Sequence, residues 1–286
     1  TPTMGGLMFI FGILVTILVF GWDAMREGSF AHLYVFAFAA VFGLIGFLDD
    51  FQKVKMHRNL GLTAIQKFAL QLAAAVVFLC LMRYEGMLTP NLYVPFANTY
   101  VILPWIVYMI FAAFVIVGTV NAVNITDGVD GLSSSVTVPV AVFFAVLGGL
   151  WQGFGQLGVF AGALVGGLLG FLFYNHYPAK VFMGDTGSMF IGGAVVGMAM
   201  LLRQPFLLLL IGFTCCMSSV SVILQRYYYK ANRKIYGTPR RLFKMSPLHH
   251  HFEKCGMKET QIVLMYTVVT LVLTALAGFF LVVFGG

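Results

Sequence analysis

Nine stretches of predominantly apolar residues run along the chain, at approximately 4–22, 30–48, 65–82, 101–120, 132–150, 156–174, 188–202, 206–224 and 262–284. A helix crosses a bilayer core in about 20 apolar residues, and lipid offers no water to satisfy irregular backbone. The pattern predicts an all-α polytopic membrane protein with about nine transmembrane helices in this chain, the seventh being the shortest. A transmembrane β-barrel would show segments of about ten alternating residues, which these uniform runs lack. The Gly-rich stretches "GALVGGLLGF" at 162–171 and "GGAVVG" at 192–197 allow close helix approach.

Composition agrees with this architecture. The chain is 60% hydrophobic and 9% charged, with a mean hydropathy of +0.94, where an ordinary soluble domain carries about 25% charged residues. Residues 1–286 read as a single integral-membrane domain, with the polar stretch 225–261 as its longest loop. Cys80, Cys215 and Cys216 fall inside apolar stretches and Cys255 in a basic loop, which is the spacing of neither a disulfide framework nor a zinc site. The chain opens on Thr1 with no basic leader before the first apolar stretch, so a further upstream segment is expected.

Nine spans sort the connections into two sets. One contains the start, 49–64, 121–131, 175–187 and 225–261, and it holds every polar motif considered below. Of the 17 Lys and Arg, all but Arg26, Arg83 and Arg203 belong to that set. The positive-inside rule makes it the cytoplasmic side. The formal charge of +7 therefore faces the cytoplasm, where it suits anionic headgroups and anionic substrates. No nucleic-acid-binding module accompanies the charge, so no nucleic acid partner is expected.

Five of the six Asp residues share this side: Asp49, Asp50, Asp127, Asp130 and Asp185. Ionisable groups beside a membrane are costly, and such clustering points to a functional site. In "GFLDDFQKV", Asp49 and Asp50 stand together where an apolar helix ends. They repel one another and the negative end of the helix dipole, so a divalent metal or Lys53, one turn on, is needed as a counter-charge. In "NAVNITDGVDGL", Asn121, Asn124, Asp127 and Asp130 recur at three-residue steps with Gly128 and Gly131 between them. In "VFMGDTGSMF", Asp185 lies between Gly184 and Thr186 at the start of an apolar helix, a fitting cradle for phosphate beside a metal ligand. It is not a Walker loop, because no Lys follows the second Gly. Taken singly, solvated interfacial carboxylates, an Asx-rich turn or a helix N-cap would account for each motif. Three on one face match Mg2+-assisted chemistry on a diphosphate, which calls for hard oxygen ligands.

The stretch 225–261 contains "SPLHHHFE", with His249, His250 and His251. Consecutive residues do not converge on a helix, so the triplet is a poor chelator, while imidazole can contact phosphate or carry a proton near neutral pH. Pro247, Leu248 and Phe252 around it indicate an ordered, partly buried segment. Phe182, three residues before Asp185, is placed to stack on a base. His32, His57 and His176 have no comparable context.

In this order on one membrane face, "TPTMGG", "GFLDDFQKV", "NAVNITDGVDGL", "VFMGDTGS" and "SPLHHHFE" resemble the bacterial phospho-N-acetylmuramoyl-pentapeptide transferases, of the polyprenyl-phosphate N-acetylhexosamine-1-phosphate transferase superfamily. The resemblance spans nearly the whole chain and implies a ten-span fold whose first helix precedes Thr1. It implies transfer of the phospho-sugar from UDP-N-acetylmuramoyl-pentapeptide to undecaprenyl phosphate, releasing UMP and making lipid I, with Mg2+ required. Carried onto these residues, Asp185 is the leading metal ligand, with Asp50 beside it, and Asp49 and Asp50 activate the lipid phosphate or help hold the metal. Asn124, Asp127, Gly128, Asp130 and Phe182 contact the uridine-bearing substrate, as do Thr3 of the opening motif and Asn175. His249 and His250, with Gln225 and Ser246, line the nucleotide side, His249 also counting among the catalytic residues. Lys53 and Lys67 meet phosphates. The bilayer is a partner throughout, and a homodimer is in keeping with the family.

Two alternatives stay open at the level of sequence. A sister enzyme transferring N-acetylglucosamine phosphate would share the acidic motifs, and an ion-coupled transporter would also carry polar groups near the membrane. Transporter sites, however, lie near the midplane on broken, repeated helices, whereas these carboxylates stand at span ends on one side.

Overall fold

The computed structural model describes residues 1–56, 61–94, 99–238 and 240–284, and His57 and Arg58 of the polar segments above lie outside them. The chain forms α1 (Gly6–Phe20), α2 (Trp22–Arg26), α3 (Ala31–Lys55), α4 (Ala64–Tyr84), β1 (Asn91–Val94), β2 (Thr99–Ile102), α5 (Trp105–Thr126), α6 (Leu132–Leu150), α7 (Gly155–Asn175), α8 (Gly184–Leu201), α9 (Leu208–Ile211), α10 (Phe213–Tyr236), α11 (Leu248–Lys254) and α12 (Glu259–Phe284). This is a helical, multi-pass membrane protein. Among the described residues, seven helices are long and apolar enough to cross a bilayer: α3, α4, α5, α6, α7, α8 and α12.

The expected count of nine spans needs qualification. Each of the nine apolar stretches carries a helix, but 101–120 begins in β2 and α1 has only 15 residues. The stretch at 206–224 is broken, its Pro205–Ile211 segment meeting α10 at 84°. The polar stretch 225–261 is less irregular than a loop, because α10 continues through it to Tyr236 and α11 follows. The connection at 83–100 contributes a short antiparallel hairpin, with Asn91 opposite Ile102 and Val94 opposite Thr99.

α8 is the axis of the bundle. Every residue from Thr186 to Leu201 is buried, which explains its low apolarity for a span: it faces protein on all sides, where small residues replace bulky ones. Gly187 lies against Gly6 of α1, Gly192 against Val120 of α5, and Gly193 against Ala39 of α3. Close approach of this kind is how helices associate where lipid removes the hydrophobic drive. The interface of α3 with α8 is the most extensive in the molecule. At its polar end, Gly46 lies directly against the Asp185 carbonyl, leaving no room for a Cβ.

α4 is tied to α5 by a pair of amides. Asn121 Nδ2 donates to Gln71 Oε1 at 2.7 Å and Gln71 Nε2 returns a longer bond to Asn121 Oδ1 at 3.4 Å. Gln71 is 1% exposed, so within an apolar helix its amide must be satisfied by a neighbour. The pair lies one helical turn from Lys67 and Asn124 and fixes how those two residues face each other across α4 and α5. Replacing Gln71 or Asn121 by Leu is expected to cost about 0.5–2 kcal/mol in thermal or denaturant unfolding. The double variant should cost little more than either single one. Additive losses would show that the two amides do not act as a pair.

Candidate active site

Asp49, Asp50 and Lys53 lie on the last turns of α3, where their i,i+3 and i,i+4 spacing places all three on one side. Asp185 occupies the first turn of α8, where free N–H groups and the helix dipole favour a carboxylate. Met183 caps α8 without a side-chain bond, and the missing acceptor comes from α3. Asp50 Oδ2 accepts from both the backbone N–H and the hydroxyl of Thr186, at 2.9 Å each. The end of one spanning helix thereby caps the beginning of another.

The Lys53 ammonium joins the three carboxylates. It lies 2.6 Å from Asp49 Oδ2, 2.9 Å from Asp185 Oδ2 and 3.6 Å from Asp50 Oδ1. Lys67, one turn into α4, reaches Asp185 Oδ2 at 3.1 Å. Asn124 at the end of α5 donates 2.8 Å bonds to Asp185 Oδ1 and to Ser188 Oγ. The backbone N–H of Leu62 holds Asp49 Oδ1 at 2.7 Å.

One ligand oxygen from each of Asp49, Asp50 and Asp185 lies within 4.8 Å of the other two. This hard, all-oxygen donor set fits a divalent cation of the Mg2+ type, and the cation now bridging it is the Lys53 ammonium.

The cluster opens on a cleft of about 410 Å³ lined by Thr3, Asp50, Lys53, Asn124, Asp127, Gly128, Asp130, Asn175, Phe182 and Asp185, among others. The opening segment of the chain forms one wall by backbone pairing. Phe182 N donates to Pro2 O at 2.9 Å, Gly5 N to Phe182 O at 2.8 Å and Gly6 N to Met183 O at 3.1 Å. This explains why "TPTMGG" and "VFMGD" belong to one site. The Phe182 ring remains 40% exposed on the cleft. The Asp127 carboxyl is pushed up to about 7 by burial and by the negative charges of Asp185, Asp50 and Asp130. Near neutrality it is shared between an acceptor and a donor form.

Asp130 and Asn175 have internal partners. Asp130 Oδ2 accepts from Ala179 N at 2.8 Å. Asn175 accepts from Gly131 N at 3.2 Å and donates to Val181 O at 2.9 Å, tying the 128–131 turn to the segment before Phe182. Asn175 is 3% exposed, so its amide shapes the cleft wall.

α11 closes the side formed by the 127–131 turn. A Cβ on Gly128 would stand 2.6 Å from His249 Nε2 and 3.2 Å from His250 Nε2, so only glycine admits the imidazoles this close. His249 is fully buried, and neither of its ring nitrogens has a hydrogen-bond partner among the described residues. Burial and the neighbouring His250 push its pKa down to about 4 against the opposing pull of Glu253, so it is neutral at physiological pH. His250 Nδ1 pairs with Glu253 Oε2 at 2.9 Å. Of the residues expected at the site, Asp49, Lys67, His249, His250, Gln225 and Ser246 are not among those lining the cleft. The Gln225 amide accepts from Leu242 N and Phe243 N, at 3.1 and 2.9 Å, and holds the segment leading to α11. Ser246 is half-buried just before that helix.

Gln71, Thr186 and Ser188 complete the arrangement although no role for them follows from their motifs. A glutamine flanked by apolar residues inside a spanning helix, one turn after a lysine, is the signal that could have singled out Gln71. The hydroxyls after Asp185 are visible in sequence, but their partners on α3 and α5 are not.

Residues 32–203 match the family described as glycosyl transferase family 4. A phospho-N-acetylmuramoyl-pentapeptide-transferase of Clostridium acetobutylicum is 42% identical over 279 residues, covering 97% of this chain and 83% of that protein. The enzyme so named from Clostridioides difficile is 43% identical over 273 residues, with 96% and 81% covered. That of Listeria monocytogenes is 43% identical over 266 residues, with 93% and 79% covered. With similarity of this extent running through both halves of the cleft, the chain belongs to glycosyl transferase family 4 and, within it, to the phospho-N-acetylmuramoyl-pentapeptide-transferases.

Proposed function

We propose that this transferase moves phospho-N-acetylmuramoyl-pentapeptide from UDP-N-acetylmuramoyl-pentapeptide to undecaprenyl phosphate at the cytoplasmic face of the bacterial cytoplasmic membrane, releasing UMP and forming lipid I. The observation that carries this reading is the meeting of Asp49, Asp50 and Asp185 with Lys53 and Lys67 at the ends of spanning helices. A soluble nucleotide and a lipid phosphate can both reach that position. The excess of Lys and Arg in the same connections supports the cytoplasmic assignment. The names of the relatives support the muramoyl substrate over N-acetylglucosamine, and the absence of polar groups from the midplane of α8 weighs against transport.

Three carboxylates against two ammonium groups leave one negative charge uncompensated, which supports a divalent cation held by Asp185 and Asp50. Mg2+ bound there would neutralise diphosphate oxygens and the charge growing on the departing UMP. The remaining work is positioning. Phe182 stacks on the uracil, Asp127 and the Gly128 backbone engage the uridine diphosphate, and Asn124 holds Asp185 in place beside it. Lys67 and Lys53 neutralise phosphate oxygens. An oxygen of undecaprenyl phosphate attacks the β-phosphorus, and the bond from that phosphorus to the bridging oxygen breaks, leaving its electron pair on UMP. Asp49 accepts the proton of any acceptor phosphate that arrives singly protonated, a small demand for a group whose second pKa is about 6. His249, neutral and buried against Gly128, supports the turn that meets the nucleotide. Asn175 and Gln225 act by holding the cleft wall and the α11 segment in place.

The decisive assay follows UMP and lipid product from purified protein with undecaprenyl phosphate, Mg2+ and either UDP-N-acetylmuramoyl-pentapeptide or UDP-N-acetylglucosamine. Product is expected from the muramoyl substrate alone, abolished by EDTA, and reduced at least ~10²-fold in Asp185→Asn and Asp49→Asn. Product from the glucosamine substrate would assign the sister reaction. A phosphoryl label trapped on Asp49, with UMP released before acceptor is added, would replace the single displacement by a covalent route.

His249 also gives a stability signature. Its folded pKa, about 4, lies below the ordinary imidazole value of 6.5, so folding favours the neutral form. Its contribution is complete above pH 6.5 and is lost as pH falls toward 4, up to about 3 kcal/mol. The unfolding temperature of the protein should therefore drop more steeply over that interval than that of His249→Asn. Parallel curves would mean that the imidazole is not held neutral.

A further inference from the structure

From Ser218 to its end, α10 is inside out for a helix in water. The buried residues of this part are Ser218, Ser221 and Asn232, at 0%, 2% and 7% exposure, and Gln225 on the same side is occupied by the 242–243 backbone. Facing away from the protein, Val220, Leu224, Tyr227, Ala231 and Ile235 recur at steps of three and four and fall within about 80° of arc. Tyr227 and Ile235 are 70% and 69% exposed. A second exposed stripe, Arg226, Lys230 and Arg233, lies about 130° around the helix from the first. These three cations have no ion-pair partner among the described residues, and no Asp or Glu occurs between Asp185 and Glu253.

A helix with a polar seam toward the protein, an apolar stripe outward and cations along the remaining side matches a bilayer interface, where acyl chains take the apolar face and phosphates take the charge. The bend of 84° before Phe213 turns α10 out of line with the segment that precedes it. We propose that Val220–Tyr236 lies in the interface of the membrane, its apolar stripe among acyl chains and Arg226, Lys230 and Arg233 bound to the phosphates of anionic phospholipids. The occupant is the phospholipid bilayer itself, by charge complementarity and because the protein already spans it. This surface is separate from the cleft and does not depend on the reaction assigned there.

Native mass spectrometry of the purified protein from micelles containing equal amounts of phosphatidylglycerol and phosphatidylcholine tests this directly. Three basic residues at a membrane surface could bias binding by up to roughly a hundredfold. Retention of phosphatidylglycerol should exceed that of phosphatidylcholine at least tenfold, fall with added salt, and drop to within about twofold in Arg226→Gln/Lys230→Gln/Arg233→Gln at an unchanged unfolding temperature. Should that variant not fold, Arg226→Gln/Lys230→Gln is expected to lose part of the preference. Equal retention of the two lipids by the unaltered protein, or an undiminished preference in a folded variant, would overturn the proposal. So would a lipid-indifferent protein in which Leu224→Cys forms a disulfide-linked dimer, because the stripe would then face a second copy. Loss of turnover by the folded triple variant in phospholipid-free detergent would overturn it too, assigning the cations to the acceptor's phosphate.

Discussion

Mutual repulsion among Asp49, Asp50 and Asp185 is the constraint on which this site rests. Their ligand oxygens lie within 4.8 Å of one another. At an effective dielectric of roughly 20, each ionised pair at that distance costs about 3 kcal/mol. The fold answers with several partners from different helices: Lys53 from α3, Lys67 from α4, Asn124 from α5 and the N-terminus of α8. No one helix could supply them. The assembly of α3, α4 and α5 around α8 is therefore what allows the carboxylates to stand together, and the small residues of α8 are what allow the assembly.

Legibility in the sequence followed the same physics. The apolar runs mark the helices because a bilayer demands uninterrupted hydrocarbon, and the Asp motifs are conspicuous because charge is scarce in such a chain. The convergence of Asp49, Asp50 and Asp185 could be read from their shared side. Their connections could not, since Asp50 caps α8 across 136 residues and Gln71 meets Asn121 across 50. Nor does periodicity say which face of a spanning helix is inward, because lipid-facing and protein-facing sides are both apolar. Asn175 and Gln225 show a related gap. An amide before a motif looks available for substrate, and only the fold reveals that Gly131, Val181, Leu242 and Phe243 already occupy these two.

α10 marks where hydropathy alone misleads. A window over 206–224 averages a short helix, a break and the beginning of a long amphipathic helix into one apparent span. Its polar residues were legible as a basic segment, yet their division between a seam toward the protein and a stripe away from it needs the backbone. The same averaging makes α8 look marginal. Its low apolarity reflects burial among other helices, so the least convincing span by composition is the central one in space.

The choice of lysine at the hub follows from what the site has to exchange. In the protein by itself, Lys53 and Lys67 serve carboxylates. In the proposed reaction they serve phosphate oxygens, which requires ammonium groups able to leave one anion for another without disturbing the helices that carry them. A compact charge on a flexible four-carbon stem does this, whereas the planar fork of arginine favours one bidentate partner. The positions of Asp50 and Asn124 are better suited to staying fixed. Asp50 is anchored by two bonds from Thr186, and Asn124 by Asp185 and Ser188. The cluster thus combines a rigid frame of oxygen and amide groups with two mobile cations, the division of labour that phosphoryl transfer needs when positioning and charge neutralisation supply most of the catalysis.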